Sequence, residues 1–150
     1  MSVDRRELIL ARIEAIAAGL TGVMLAKRGL RFRDDTQLPA IAIADGDETA
    51  SEEDERRRPN GAPRYVTMQP RLEIWAREEG GDFVGTILNR LRAELVRAVV
   101  SDAALLGLTL LGEGSTRYDG CTTESEQGRS TIGSMTIGLA VTYVLRPDEL

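Results

Sequence analysis

The feature that most constrains this chain is its closing run, Thr131 to Leu145. Ile137, Leu139, Val141, Tyr143 and Leu145 alternate there with Thr136, Gly138, Ala140, Thr142 and Val144. A period of two sends the first set to one side of a strand and the second set to the other. Both sides are apolar or small, as expected for a central strand covered on both faces. Pro147 ends the run.

Two segments have helical periodicity. Ile9, Ile13, Ile16 and Leu20 step by four, three and four, which lines them up on one face. Asp4 and Glu7 have the spacing of an acidic cap and third position, and Gly19 and Gly22 stop the helix. The second stripe comprises Ile87, Leu88, Leu91, Leu95, Val96 and Val99, with Arg90, Arg92, Glu94 and Arg97 outside it. Asp82, after Gly80-Gly81, is the expected cap of that helix.

The remaining segments read as strands. Val23 to Arg33 alternates without a cleanly apolar face, as in a strand exposed on one side with a bulge near Gly29. Leu38 to Ala44 is short and apolar, and Pro39 near its start needs no ladder donor. In Arg64 to Arg77, Leu72, Ile74 and Ala76 share one face while Arg71, Glu73, Trp75 and Arg77 share the other. Trp75 is the odd member of the polar face, packed under an arginine stem or placed at an interface. Leu108 to Tyr118 reads as a strand interrupted by Gly112 and Gly114, and Thr122 to Arg129 as the turn that follows. The expected fold class is α+β: a mainly antiparallel sheet of about five strands, two helices packed on one face, and a long charged arm over 45–62.

That arm is almost free of apolar residues. Glu52, Glu53 and Asp54 adjoin Arg56, Arg57 and Arg58, so part of its charge can compensate locally. Loops of this length are usually functional or disordered. The readings are a solvated hairpin tip, an arm that orders on a neighbouring subunit, or a nucleic-acid contact through the arginines, which the flanking acids oppose.

Composition excludes several kinds of chemistry. The chain has no histidine, which removes His-dependent base catalysis and the commonest zinc ligand. The single Cys121 has no partner for a disulfide or a thiolate metal site, and a lone thiol fits a reducing compartment. A formal net charge of -5 opposes general nucleic-acid binding, which needs a basic face. Glu7, Arg12 and Glu14 interrupt the opening apolar residues, so no signal peptide or membrane span is expected and the chain reads as soluble and cytoplasmic. Asp34-Asp35, Asp45-Asp47 and Glu52 to Glu55 read as solvated charge runs that could hold a hard cation only weakly, and the Asp45 to Glu48 cluster lacks the ligand spacing of a calcium loop. Gly80-Gly81 lacks a third glycine at dinucleotide spacing, and Ser130 and Ser134 have no base to activate them. No catalytic residue, cofactor or metal is expected.

Taken in order, the segments carry a resemblance. Arg5 to Ile13 opens the chain, Pro39-Ala40-Ile41-Ala42-Ile43 runs into Asp45-Gly46, and Leu72-Glu73-Ile74-Trp75 precedes a helix that carries Asn89-Arg90-Leu91. Met135 to Tyr143 closes it. This order resembles the tail terminator (tail completion) proteins of long-tailed bacteriophages, prophages and gene-transfer particles, over roughly residues 5 to 146. The resemblance implies one mixed α/β domain that forms a hexameric ring. Such a ring caps the tail tube, ends its polymerisation and presents a surface for head attachment. It implies no catalytic residues. Its partners would be further copies of the chain, the tail-tube protein and a head–tail connector or neck protein, in the host cytoplasm and then in the virion tail. Glu52, Glu53, Asp54, Arg56, Arg57, Arg58 and Trp75 are the expected contact residues. The other readings are a neck or head-closure ring protein, or a small-molecule-binding regulatory domain that uses the open sheet face.

Overall fold

The computed structural model describes residues 4–50, 62–109, 115–125 and 131–150. It is an α+β fold built on one five-stranded sheet. The elements in chain order are α1 (Arg5–Ala18), β1 (Leu25–Arg28), β2 (Ala40–Ala50), β3 (Arg64–Arg77), α2 (Val84–Ser101), α3 (Ala103–Leu108), β4 (Thr116–Ser125) and β5 (Ile132–Leu145). A 3₁₀ turn, Pro147–Glu149, follows the last strand. The strand order is β1-β2-β3-β5-β4; β1 and β2 are parallel and the other pairs antiparallel.

Helix α1 begins where expected, with the Asp4 carboxylate accepting from the Arg6 N–H at 3.0 Å and Gly19 at the C-cap. Glu7 does not turn back to the cap. It accepts from the Arg28 guanidinium at 2.8 and 3.1 Å and so ties α1 to β1. Arg28 also donates to Asp45 at 2.9 Å, and its backbone N–H donates to Glu14 at 2.8 Å. One side chain therefore joins α1, β1 and the middle of β2.

The core follows the two periodicities. Ile41 pairs with Ile74 and Ile43 with Leu72, which in turn face Met135 and Ile137 on β5. These side chains share one cluster with Ile9, Leu10 and Ile13 of α1 and with Leu88, Leu91 and Leu95 of α2. At about 2 kcal/mol for each fully buried aliphatic side chain, this contiguous cluster is the main term holding sheet and helices together. Helix α1 lies against β1 and β2, and α2 lies against β3, β5 and β4.

Several expectations need correction. Among the described residues there are three α-helices, where two were expected. The Asp102 carboxylate accepts from the Leu105 N–H at 2.8 Å and starts α3, which packs on α1 and α2. A bidentate pair with Arg12, at 2.7 and 2.8 Å, holds that carboxylate in place. The expected strand over 108–118 is thus helix up to Leu108, and strand β4 begins only at Thr116. It continues through Thr122–Ser125, where a turn was expected, because β5 offers it a full ladder. The strand over 23–33 shrinks to Leu25–Arg28. Strand β5 is an interior strand beside the edge strand β4, and on its second face Thr136, Gly138, Thr142 and Val144 are only half-buried.

The beginning of the charged arm is also strand. Strand β2 runs through Asp45 to Ala50, and Ala50 pairs with Val66. Between Ala44 and Asp47 the ladder carries a bulge, with Asp45 and Gly46 opposite the single Pro70. A proline in an interior strand is tolerated at such a position, because it has no N–H to give the ladder. Gly46 takes φ +73, and its missing side chain leaves room for the Gln69 carbonyl.

Candidate interaction surface

Strand alternation that buries Leu72 and Ile74 turns Arg71, Glu73 and Trp75 to the opposite side of the sheet. Register extends this into rows. Ala44, Arg71, Gly138 and Gly120 form one row, and Ala42, Glu73, Thr136 and Thr122 the next. Small residues therefore flank the two charged side chains, leaving two hollows. On the β4 side, Gln69, Arg71, Gly120, Thr122, Thr136 and Gly138 line about 280 Å³. On the β2 side, Leu30, Arg31, Ala42, Ala44, Arg71 and Glu73 line about 380 Å³. Arg71 is the partition between them. Neither Arg71 nor Arg31 forms an ion pair among the described residues.

The rim of the second hollow is a built feature. Gly29, at φ +67, turns the chain out of β1, and its N–H donates to the Ile43 carbonyl at 3.1 Å. Phe32 then stacks flat on Trp75, with ring centroids 4.3 Å apart and planes 4° from parallel. Trp75 is thus half-buried against an aromatic ring, not under an arginine stem. Burial raises the Glu73 carboxyl above its ordinary value, and repulsion from Glu124 raises it further, while the Trp75 side chain partly offsets both.

At one end of the sheet the base of the charged segment is tied to the core. The buried Tyr143 hydroxyl donates to the Glu48 carboxylate. Arg6 lies 3.7 Å from the same carboxylate and donates to the Gly46 carbonyl at 2.8 Å. Burial, and then the Glu48 carboxylate, push the Tyr143 hydroxyl well above its ordinary pKa.

Of the expected contact residues, Glu52, Glu53, Asp54, Arg56, Arg57 and Arg58 lie outside the described residues, and only Trp75 falls on this surface. Asp45 is committed to Arg28, while Asp34 and Asp35 line a hollow of about 650 Å³ with Met24, Arg77, Glu78 and Glu79. Among the described residues no cluster of three or more His, Cys, Asp or Glu could hold a metal ion. No helix among them is long and apolar enough to cross a membrane.

Sequence reasoning missed Phe83. It stands at the N-cap of α2, where Asp82 was expected, and makes no side-chain capping bond. It is also 76% exposed, more than any other large apolar side chain among the described residues. The available signal was an aromatic directly after Gly80-Gly81-Asp82, at the point where the helical stripe begins. No family model matches this chain, and no curated protein is similar to it.

Proposed function

We propose that this protein is a structural subunit that assembles into a ring on a phage-type tail, where it ends tube polymerisation and offers a surface for head attachment. The reading starts from the resemblance in segment order. The observation that carries it furthest is the mounting of the charged segment. Strands β2 and β3 stay paired out to Ala50 and Val66, a long ladder at the base of the charged segment. Glu48, Tyr143 and Arg6 brace that ladder against β5 and α1. A segment rich in both acids and arginines on a braced base is suited to contacting another subunit, since opposite charges set orientation and encounter rate. In this reading the partners are further copies of the chain, the tail-tube protein and a neck or connector protein. The protein acts in the host cell during assembly and then in the particle's tail.

A second reading rests on the two hollows beside Arg71. Their volumes of about 280 and 380 Å³ lie at the lower end of the range for small-molecule sites, roughly 300–1,000 Å³. Ligand-dependent thermal stabilisation of a small oligomer would favour it.

The deciding experiment is the mass of the protein in solution by light scattering, at several concentrations and two salt levels, followed by addition of tail tubes. The ring reading expects a six-subunit species, or salt-sensitive exchange between the 16.4 kDa monomer and a ring, and a cap at tube ends in electron micrographs. A protein that is monomeric throughout and leaves tube ends bare refutes it.

A further inference from the structure

Phe83 and the β2-side hollow are complementary in charge and in their apolar surface. The turn before α2 is closed by its own backbone: Gly80 and Gly81 take φ +63 and +84, and Glu79 and Asp82 bridge across them. The Asp82 N–H donates to the Glu79 carbonyl at 3.0 Å, and the Glu78 N–H donates to the Thr131 carbonyl at 2.7 Å. Phe83 follows directly and is held in place by the start of α2. An aromatic at an N-cap forgoes the side-chain acceptor that Ser or Asp would supply there, and exposes its ring as well. Local rules broken without a gain in stability often mark a functional position. In the turn that leads to Phe83, Glu78, Glu79 and Asp82 are exposed and form no ion pair among the described residues.

The hollow offers the reverse. Leu30, Ala42 and Ala44 supply apolar surface, and Arg31 and Arg71, which form no ion pair among the described residues, outnumber the one carboxylate of the lining, Glu73. Its 380 Å³ exceeds the roughly 150 Å³ that holds a benzene molecule in an apolar cavity. Arginine beside an aromatic face adds a cation–π contact. Within one chain the two surfaces do not meet, since Glu73 stands about 13 Å along β3 from Arg77 at 3.3 Å per residue and the Phe83 turn follows beyond Arg77.

We propose that the acidic Phe83 turn docks into the arginine-rimmed hollow beside Ala42 and Ala44 on a second copy of this chain. The contact joins two different patches, so it repeats head to tail and closes into a ring when the rotation allows. This inference rests on the ring reading for its closure, but not for the pairwise contact itself.

Two variants test it. Phe83→Ser removes the ring while supplying a good N-cap, so its fold is retained. Arg31→Glu with Arg71→Glu reverses the hollow at two exposed positions without ion pairs. Each variant alone is expected to assemble at least tenfold more weakly than the unaltered protein in sedimentation velocity. Mixed in equal amounts, they retain one intact turn and one intact hollow, and are expected to form a one-to-one pair and nothing larger. Unaltered assembly by either variant overturns the contact. So does a mixture without pairs when the unaltered protein forms rings, and in that case the ring reading survives. Pairing in the mixture, with open chains from the unaltered protein, keeps the contact and refutes the ring. Monomers in every arm overturn both.

Discussion

Replacing Gly46 with alanine tests how the base of the charged segment is built. The backbone there lies at φ +73, where an L side chain costs roughly 1–2 kcal/mol. In addition the new Cβ would overlap the Gln69 carbonyl oxygen and stand 2.5 Å from its carbon and 3.1 Å from the Pro70 Cα. These are backbone atoms of an interior strand, so no side chain can swing aside. Overpacking of this kind costs about 1–3 kcal/mol, which brings the expected total to about 2–5 kcal/mol. For a chain of this size that lowers Tm by roughly 4–20 °C. Gly29→Ala is the control, because Gly29 has φ +67 but open space around its missing side chain. It should lose only the conformational part, roughly 1–2 kcal/mol. Thermal unfolding followed by circular dichroism compares the two. If Gly46→Ala is no less stable than Gly29→Ala, the bulge is not wedged against Gln69 and the account of the base is wrong.

Four further outcomes are expected. Tyr143→Phe leaves Glu48 without its buried donor and should cost about 1–3 kcal/mol in denaturant unfolding; a neutral effect would mean the hydroxyl does not brace the ladder. The folded pKa of Tyr143 is raised, so its contribution is fully present below pH about 10 and is lost as pH rises through the higher folded value. Its phenol absorbance should therefore titrate above the ordinary range for tyrosine. Asp102 shifts the other way: the Arg12 hydrogen bond holds its carboxyl below the ordinary value. Its stabilisation is present above pH about 4 and is lost as pH falls through the folded pKa, so Asp102→Asn should flatten the acid side of a Tm–pH profile. Reversing Arg56, Arg57 and Arg58 to Glu together should weaken assembly and leave the circular dichroism spectrum unchanged. Normal assembly would remove the charged segment from the functional argument.

The sequence by itself determined the long helices and strands whose buried face repeats over several turns or alternations. The stripe from Ile87 to Val99 and the alternation from Leu72 to Ala76 are local patterns, and burial against any core enforces them. The absence of histidine likewise bounded the chemistry before any coordinates. Tertiary structure decided what depends on distant partners. Asp45 to Ala50 looked like loop because its acids have no apolar period, yet β3 supplies a ladder and Arg28 and Tyr143 supply partners. Asp102 starts a helix with Arg12 bound to its carboxylate, a contact spanning ninety residues of chain. The hollows beside Arg71 exist only because register sets Ala44 and Gly138 on either side of it. Phe83 was visible as a letter, but its exposure was not. A helical stripe predicts which side chains are buried, whereas the side chain left outside at a cap is fixed by how the turn before it closes.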